Sequence, residues 1–302
     1  VQQRKHPTLW QGGVCSVVHS NDRLPRIIRA LTISILAGFM QQSAVTHASS
    51  VHAYNARIWA VVPCGGSGSR AGGTVPKQYR AVAGLPVVAH TLQAMARVPA
   101  IGGLVLAVAA GDTWHNGPLE GVPATGLSAL PAVSARPPEW LRVLPVAGDT
   151  RAHTVYNSLL AWRGWGADDR DWVLVHDAAR CLTTPEHITT LIETCRVDPV
   201  GGLLAHKLPD TLKQGANNRA SATVPREDKW LAQTPQMFRL GELLFAMEAA
   251  KRKQFAHITD EASAMEVQGQ MPLLVPGSAD NFKLTYPADF ALAEAVLRSR
   301  SA

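Results

Sequence analysis

The residues Pro63-Cys64-Gly65-Gly66-Ser67-Gly68-Ser69-Arg70, with Pro76-Lys77-Gln78-Tyr79 six positions further on, have the types and spacing of a phosphate-binding turn. Glycines let backbone N–H groups approach a phosphate closely. Arg70 and Lys77 add fixed positive charge where an attacked α-phosphate would gather negative charge. The apolar run Ile58-Trp59-Ala60-Val61-Val62 just before the turn is short enough to be a buried parallel strand, so the turn falls at a strand's carboxyl end. The chemistry implied is that of a nucleoside triphosphate. No Gly-Lys-Ser/Thr closes the turn, which excludes a Walker loop, and the third glycine of a dinucleotide fingerprint is absent. Most single Arg and Lys residues are ordinary surface cations; the glycine turn beside these two is what points to chemistry.

Further candidates fall at similar positions. Asp177 ends Val173-Leu174-Val175-His176-Asp177-Ala178-Ala179-Arg180, where a strand-end carboxylate can hold Mg²⁺ or another divalent cation against phosphate oxygens. Such aspartates also cap turns, and His176 reads as structural. Gly148-Asp149-x-Arg151-x-x-Thr154 lies between a strand and a helix, where Asp149 or Thr150 suits an N-cap. Asp210-Thr211-Leu212-Lys213 and Arg226 flank a polar tip, Gln214-Gly215-Ala216-Asn217-Asn218. Thr259-Asp260-Glu261-Ala262 opens a helix with Thr259 as its expected cap, and Asp280-Asn281-Phe282-Lys283-Leu284-Thr285 follows near the end. Four cysteines show no C-x-x-C pair and no zinc spacing, which suits a reduced protein. The Cys64 thiol sits where it is open to modification, though phosphoryl chemistry needs no protein nucleophile.

The elements that must position these residues alternate in type. Strands are expected over 104–108, 141–146, 171–176, 202–208 and 272–275, and helices over 86–98, 151–162, 185–195, 240–251 and 287–297. This alternation predicts an α/β fold with a mostly parallel sheet covered on both faces and ligands at the strands' carboxyl ends. The Gly-, Pro- and Ala-rich stretch 111–138 reads as a long surface loop. Residues 206–230 read as a projecting β-hairpin arm. Trp140, Trp162, Trp165, Trp172 and Trp230 read as packing residues.

The ordered set of motifs over 57–300 resembles the 2-C-methyl-D-erythritol 4-phosphate cytidylyltransferase family. The resemblance implies a Rossmann-like nucleotidyltransferase sheet and transfer of CMP from CTP to the polyol phosphate, with release of pyrophosphate. It assigns Arg70 and Lys77 to catalysis, and Cys64, Gly65, Gly66, Gly68 and Ala178 to the nucleotide. It further assigns Gly148, Asp149, Arg151 and Thr154 to the nucleotide, as readers of the cytosine. Thr211, Arg226, Thr259, Lys283 and Arg180 fall to the second substrate, and Asp177 and Asp280 to the metal. It also implies a homodimer in which the arm reaches the neighbour's site. A cytidylyltransferase for another polyol phosphate, such as ribitol 5-phosphate, and a non-catalytic nucleotide-binding protein stand as alternatives. Three departures are visible: Cys64-Gly65 replaces small alanines, Cys181 replaces a proline, and His206-Lys207 replaces a more apolar, proline-containing stretch. The length leads us to expect no fused cyclodiphosphate synthase.

Charge says little about partners. The chain of 302 residues carries a formal charge of +6, but residues 1–56 hold five Lys/Arg and one acid, leaving 24 basic and 22 acidic groups elsewhere. No Lys/Arg run of the kind that binds nucleic acid occurs in that remainder. Residues 1–56 are expected to be a disordered or non-native leader. Their charged flank and short apolar run have a secretory outline, and their low acid content also suits organellar targeting. The run is too short to span a bilayer, so a cytoplasmic enzyme without a membrane partner is expected.

Overall fold

A computed structural model describes residues 55–66, 71–72, 74–117, 119–123 and 126–300. All but the last two residues of the expected leader lie outside these, as do 67–70 of the glycine turn. In chain order the strands are β1 (Ile58–Pro63), β2 (Ala81–Val82), β3 (Leu85–Pro86), β4 (Ile101–Ala107), β5 (Leu141–Leu144) and β6 (Trp172–Val175). They continue with β7 (Gly201–Lys207), β8 (Leu212–Ala216), β9 (Arg219–Val224), β10 (Trp230–Arg239) and β11 (Leu273–Pro276). The helices are α1 (Val87–Ala96), α2 (Pro131–Ser134), α3 (Arg151–Gly164), α4 (Pro185–Arg196), α5 (Leu240–Lys251), α6 (Glu261–Val267) and α7 (Pro287–Ser299).

Seven strands form one sheet in the order β11-β7-β10-β6-β1-β4-β5. The strands β5, β4, β1 and β6 run parallel, β10 is antiparallel to both β6 and β7, and β11 is parallel to β7. The central strands are apolar on both faces because both faces are covered. Ala60 and Val62 of β1 pack with Val88 and Leu92 of α1 and Ile188 and Leu191 of α4. Val61, on the opposite face, packs with Val155 and Leu159 of α3 and Leu243 and Met247 of α5. Alternation along a single strand therefore assigns each residue to one of two cores, and the strand ends are left to the site.

Three readings of the sequence need correction. The strand β10 is not among those expected from the sequence; its Pro235 lacks the N–H that a central strand uses and is tolerated where the β7–β10 register shifts between Ala232 and Gln236. The stretch 111–138 is not simply a surface loop. It folds into short 3-10 turns and α2, and it buries Leu119, Leu127, Leu130 and Val133. Turns this short leave no helical period to read. Finally, the cap of α6 is Asp260 rather than Thr259: the backbone N–H of Ser263 donates to the Asp260 carboxylate at 2.9 Å.

The arm forms as expected. β8 and β9 pair antiparallel from Leu212↔Val224 to Ala216↔Arg219, and Asn217 and Asn218 make the turn at φ 51° and 59°. Asparagine tolerates this left-handed backbone better than most residues, which suits a two-residue hairpin turn. No helix among the described residues is long and apolar enough to cross a membrane.

Candidate active site

The carboxyl ends of β1, β5 and β6 converge on a cleft of about 460 Å³. From β1 come Cys64, Gly65 and Gly66, whose backbone is fixed from two sides. The Cys64 N–H donates to Ala107 O at 2.7 Å, and Gln78 Nε2 donates to Cys64 O at 2.8 Å and Gly66 O at 2.9 Å. Gly65 has no room for a side chain, since a Cβ there would lie 2.3 Å from the Ala147 Cβ. The Cys64 side chain turns away into the core, 3.7 Å from the Tyr79 hydroxyl. Burial pushes its thiol up to about 12, so it is neither a nucleophile nor readily modified.

After β5, Thr150 caps α3 through the His153 N–H, which leaves Gly148 and Asp149 at the cleft. The Gly148 N–H donates to the Thr154 hydroxyl at 3.0 Å, so Thr154 shapes this turn from one helical turn away. Lys77 Nζ, also at the cleft, donates to Leu284 O at 2.8 Å. Leu284 in turn bonds Ala179 just past β6, tying the segment that carries Lys283 to the site.

Asp177 is the electrostatic centre. Its carboxylate accepts from Arg151 Nε at 2.6 Å and pairs with Lys283 Nζ at 2.8 Å, while Arg180 Nε lies 3.7 Å away. Burial alone would raise its carboxyl, but Arg151 and Lys283 hold it far below the ordinary carboxylate range. Arg151 is part-buried: burial works against its charge, and Asp177 and Glu261 more than offset that. Glu261 accepts from both terminal nitrogens of Arg151, NH1 at 2.8 Å and NH2 at 3.1 Å. Arg180 is spread between Asn281 O at 2.7 Å and Ala232 O at 3.2 Å.

A second, smaller cleft of about 220 Å³ adjoins the first. It shares Arg151, Asp177 and Lys283 and adds Arg180, Thr259 and Gln233. Asp177 therefore stands where the two clefts meet.

The structure brings together Cys64, Gly65, Gly66, Lys77, Gly148, Asp149, Arg151, Thr154, Asp177, Ala178 and Lys283 at the large cleft, and Arg180 and Thr259 at the small one. Gly68 and Arg70 fall outside the described residues. Asp280 lines neither cleft; its half-exposed carboxylate faces Arg300 at 3.6 Å. Thr211 and Arg226 are exposed on the arm and line neither cleft, and Arg226 donates to the Pro209 carbonyl. Sequence reasoning gave no role to Gln78, Thr234, Gln236 or Glu261. Gln78 lay inside a quoted motif, and its buried, bracing amide is a fact of three dimensions only.

Among the described residues no group of three or more His, Cys, Asp or Glu side chains is placed to hold a metal ion. The carboxylates at the large cleft are Asp149 and Asp177. A divalent cation shared between one carboxylate and phosphate oxygens, as Mg²⁺ prefers, fits this donor set; a cage built from protein alone does not.

A sheet of this order, with its clefts at the carboxyl ends of the parallel strands, is the architecture of an α/β nucleotidyltransferase. Residues 58–299 match the family model for 2-C-methyl-D-erythritol 4-phosphate cytidylyltransferase, and the chain belongs to that family. It is 44% identical over 243 residues to the 2-C-methyl-D-erythritol 4-phosphate cytidylyltransferase of Burkholderia multivorans, covering 80% of this chain and 96% of that one. It is 52% identical over 245 residues to the bifunctional enzyme IspD/IspF of Albidiferax ferrireducens, covering 81% of this chain and 54% of that one, so it spans about half of that relative. A crystal structure of 4-diphosphocytidyl-2C-methyl-D-erythritol synthase superposes with a TM-score of 0.65 at 36% identity, covering 80% of this chain and 98% of that one. The Francisella tularensis 2-C-methyl-D-erythritol 4-phosphate cytidylyltransferase gives 0.64 at 28% identity, covering 80% of this chain and all of that one.

Proposed function

We infer that the chain transfers CMP from CTP to 2-C-methyl-D-erythritol 4-phosphate and releases pyrophosphate. The observation that carries this reading is the position of Asp177, ringed by three cations at the meeting point of two clefts. One cleft has a backbone turn suited to a triphosphate and the other has cations and hydroxyls suited to a phosphate monoester.

An oxygen of the substrate's phosphate attacks the α-phosphorus of CTP, forming a new P–O bond as the bond to the β-phosphate bridge breaks. Pyrophosphate leaves in line. The nucleophile is already an anion near neutral pH, so no general base is needed, and the chain's work is positioning and charge stabilisation. The turn at Cys64, Gly65 and Gly66 receives the triphosphate, with Lys77, and Arg70 beyond the described residues, offsetting charge at the α-phosphate. The Gly148–Asp149 turn, shaped by Thr154, faces the base. Arg180, Lys283 and Thr259 receive the incoming phosphate. Asp177 would hold Mg²⁺, which supplies charge neutralisation along the triphosphate. Asp280, turned toward Arg300, is left out of that role. The arm carries Thr211 and Arg226, and we assign them to the partner's second cleft in a homodimer.

The test is pyrophosphate release with CTP and Mg²⁺, comparing 2-C-methyl-D-erythritol 4-phosphate with ribitol 5-phosphate. Selective turnover of the first is expected. Turnover of only the second overturns the substrate, and tight CTP binding without turnover makes the chain a nucleotide-binding protein instead.

A further inference from the structure

We propose that Glu261 is a positioning residue for this reaction, bracing Arg151 so that Arg151 in turn orients the Asp177 carboxylate. The inference rests on the cytidylyl-transfer reading above. The Arg151 guanidinium is divided between two carboxylates. NH1 and NH2 of Arg151 form a fork onto the two oxygens of Glu261, at 2.8 Å and 3.1 Å, and the remaining Nε goes to Asp177 Oδ1 at 2.6 Å. A guanidinium is planar and its donors are fixed relative to one another. Fixing two of them on Glu261 therefore dictates where the third points.

Glu261 is itself held firmly. It is the first residue of α6 and only 1% exposed. The neighbouring residues are tied to β10: Gln236 accepts from the Ala262 N–H at 2.8 Å and donates to the Asp260 carboxylate at 2.9 Å. Gln236 pairs in register with Val175 of β6, two residues before Asp177. Brace and carboxylate thus hang from the same pair of strands, the kind of rigid support that keeps a reacting constellation in place.

Stability does not account for the arrangement. A buried ion pair gains little over an apolar replacement of the same shape, because desolvation consumes most of the attraction. What the pair supplies is a fixed direction for Arg151, which lines both clefts. Thr259, two residues before Glu261, lines the second cleft. The start of α6 therefore links the incoming phosphate to the carboxylate at the α-phosphate through Glu261 and Arg151.

Charge separates positioning from general support. Neutralising Glu261 makes the cleft one unit more positive, which favours a triphosphate, while Arg151 loses its fixed direction. The experiment compares wild type, E261Q, R151A and the E261Q/R151A double variant. It reads kcat, CTP affinity by calorimetry without the second substrate, and the ¹⁵N signal of Arg151 Nε–H. In E261Q, kcat should fall about 10- to 100-fold, CTP should bind as tightly as in wild type or more tightly, and the Arg151 Nε–H should lose its protection. The double variant should be no slower than R151A, because Glu261 acts only through Arg151. E261D keeps the charge one methylene short and should recover part of kcat. Should E261Q not fold, a lowered kcat with CTP binding kept in E261D serves in its place. Wild-type kcat in E261Q, a slowing that multiplies with that of R151A, or loss of CTP binding in a variant that folds would each overturn the proposal. If wild type itself turns nothing over, the functional reading fails, and the Nε–H signal still decides whether the brace exists.

Discussion

The hydroxyl of Thr234 lies 2.9 Å from Nδ1 of His176 and 3.0 Å from the backbone nitrogen of Asp177. The Asp177 N–H donates to that oxygen, so its own hydrogen is free to go to the imidazole. His176 Nε2 faces Arg180 O at 3.1 Å, and a carbonyl only accepts. One assignment satisfies every partner: Nε2 carries the proton, Nδ1 accepts, and the imidazole is neutral. Burial drives the His176 pKa down from 6.5 to about 4 in agreement. The folded state thus binds this proton less readily than the unfolded chain. Its contribution is intact above pH 6.5 and is lost as pH falls toward about 4. The loss should reach about 3 kcal/mol. Urea unfolding at pH 7.0, 5.5 and 4.5 measures it; a flat midpoint, or the same slope in H176N, defeats the assignment. Asp177, whose carboxyl is depressed, contributes in a separate window, with stability present above the ordinary aspartate range and lost only in stronger acid.

The glycine turn makes a prediction about binding rather than stability. A methyl at Gly65 would meet Ala147 Cβ at 2.3 Å, and Ala147 has no flexible side chain with which to yield. In G65A the turn must shift, and KM for CTP should rise by at least about tenfold. Q78A removes the donor shared by Cys64 O and Gly66 O and should raise KM for CTP in the same direction, with about 1–3 kcal/mol of stability lost. Steady-state kinetics on both variants check this, and unchanged KM values would show that the turn does not carry the triphosphate.

What the sequence disclosed about the site follows the span of each interaction. Cys64, Gly65 and Gly66 adjoin β1, and Asp177 lies just past β6, so an apolar run followed by glycine or aspartate was enough to find them. The Asn217-Asn218 turn was legible because its backbone demand is local. Glu261 was not, because its partner is 110 positions away and a glutamate after an N-cap reads as ordinary helix chemistry. Thr234 acts on a nitrogen 57 positions away, inside a strand that its own neighbour, Pro235, argues against. Asp280 stands apart: a carboxylate near Lys283 in sequence was expected at the metal, and in the fold it lines neither cleft and faces Arg300.

Cys64 sits among the nucleotide-binding residues yet should be inert. Its thiol is buried and raised to about 12, so almost none is thiolate at pH 8. Folded protein treated with iodoacetamide at pH 8 should retain its transfer activity and show no adduct at Cys64, whereas denatured protein should be labelled there. Rapid labelling of the folded protein, with loss of activity, would mean that the turn opens in solution.

The arm tests the assignment of a dimer. β8 and β9 are exposed along almost their whole length, and an isolated two-stranded hairpin is at best marginally stable in water. Such a hairpin gains from being covered by another surface, and neither cleft of its own chain includes Arg226 or Thr211. If a second copy of the chain is the cover, replacing 213–223 with a short Gly/Ser turn should give a monomer by sedimentation. CTP binding should remain within about threefold of wild type, because no arm residue lines the large cleft. Transfer should fall sharply. R226A in the intact arm should keep the dimer and raise KM for the polyol phosphate alone, by about 10- to 100-fold, since a charge-assisted contact to phosphate is worth roughly 1.5–3 kcal/mol. A shortened arm that stays dimeric, or an R226A enzyme with wild-type KM, would return the hairpin to the status of a solvated projection and leave the second cleft to the residues of its own chain.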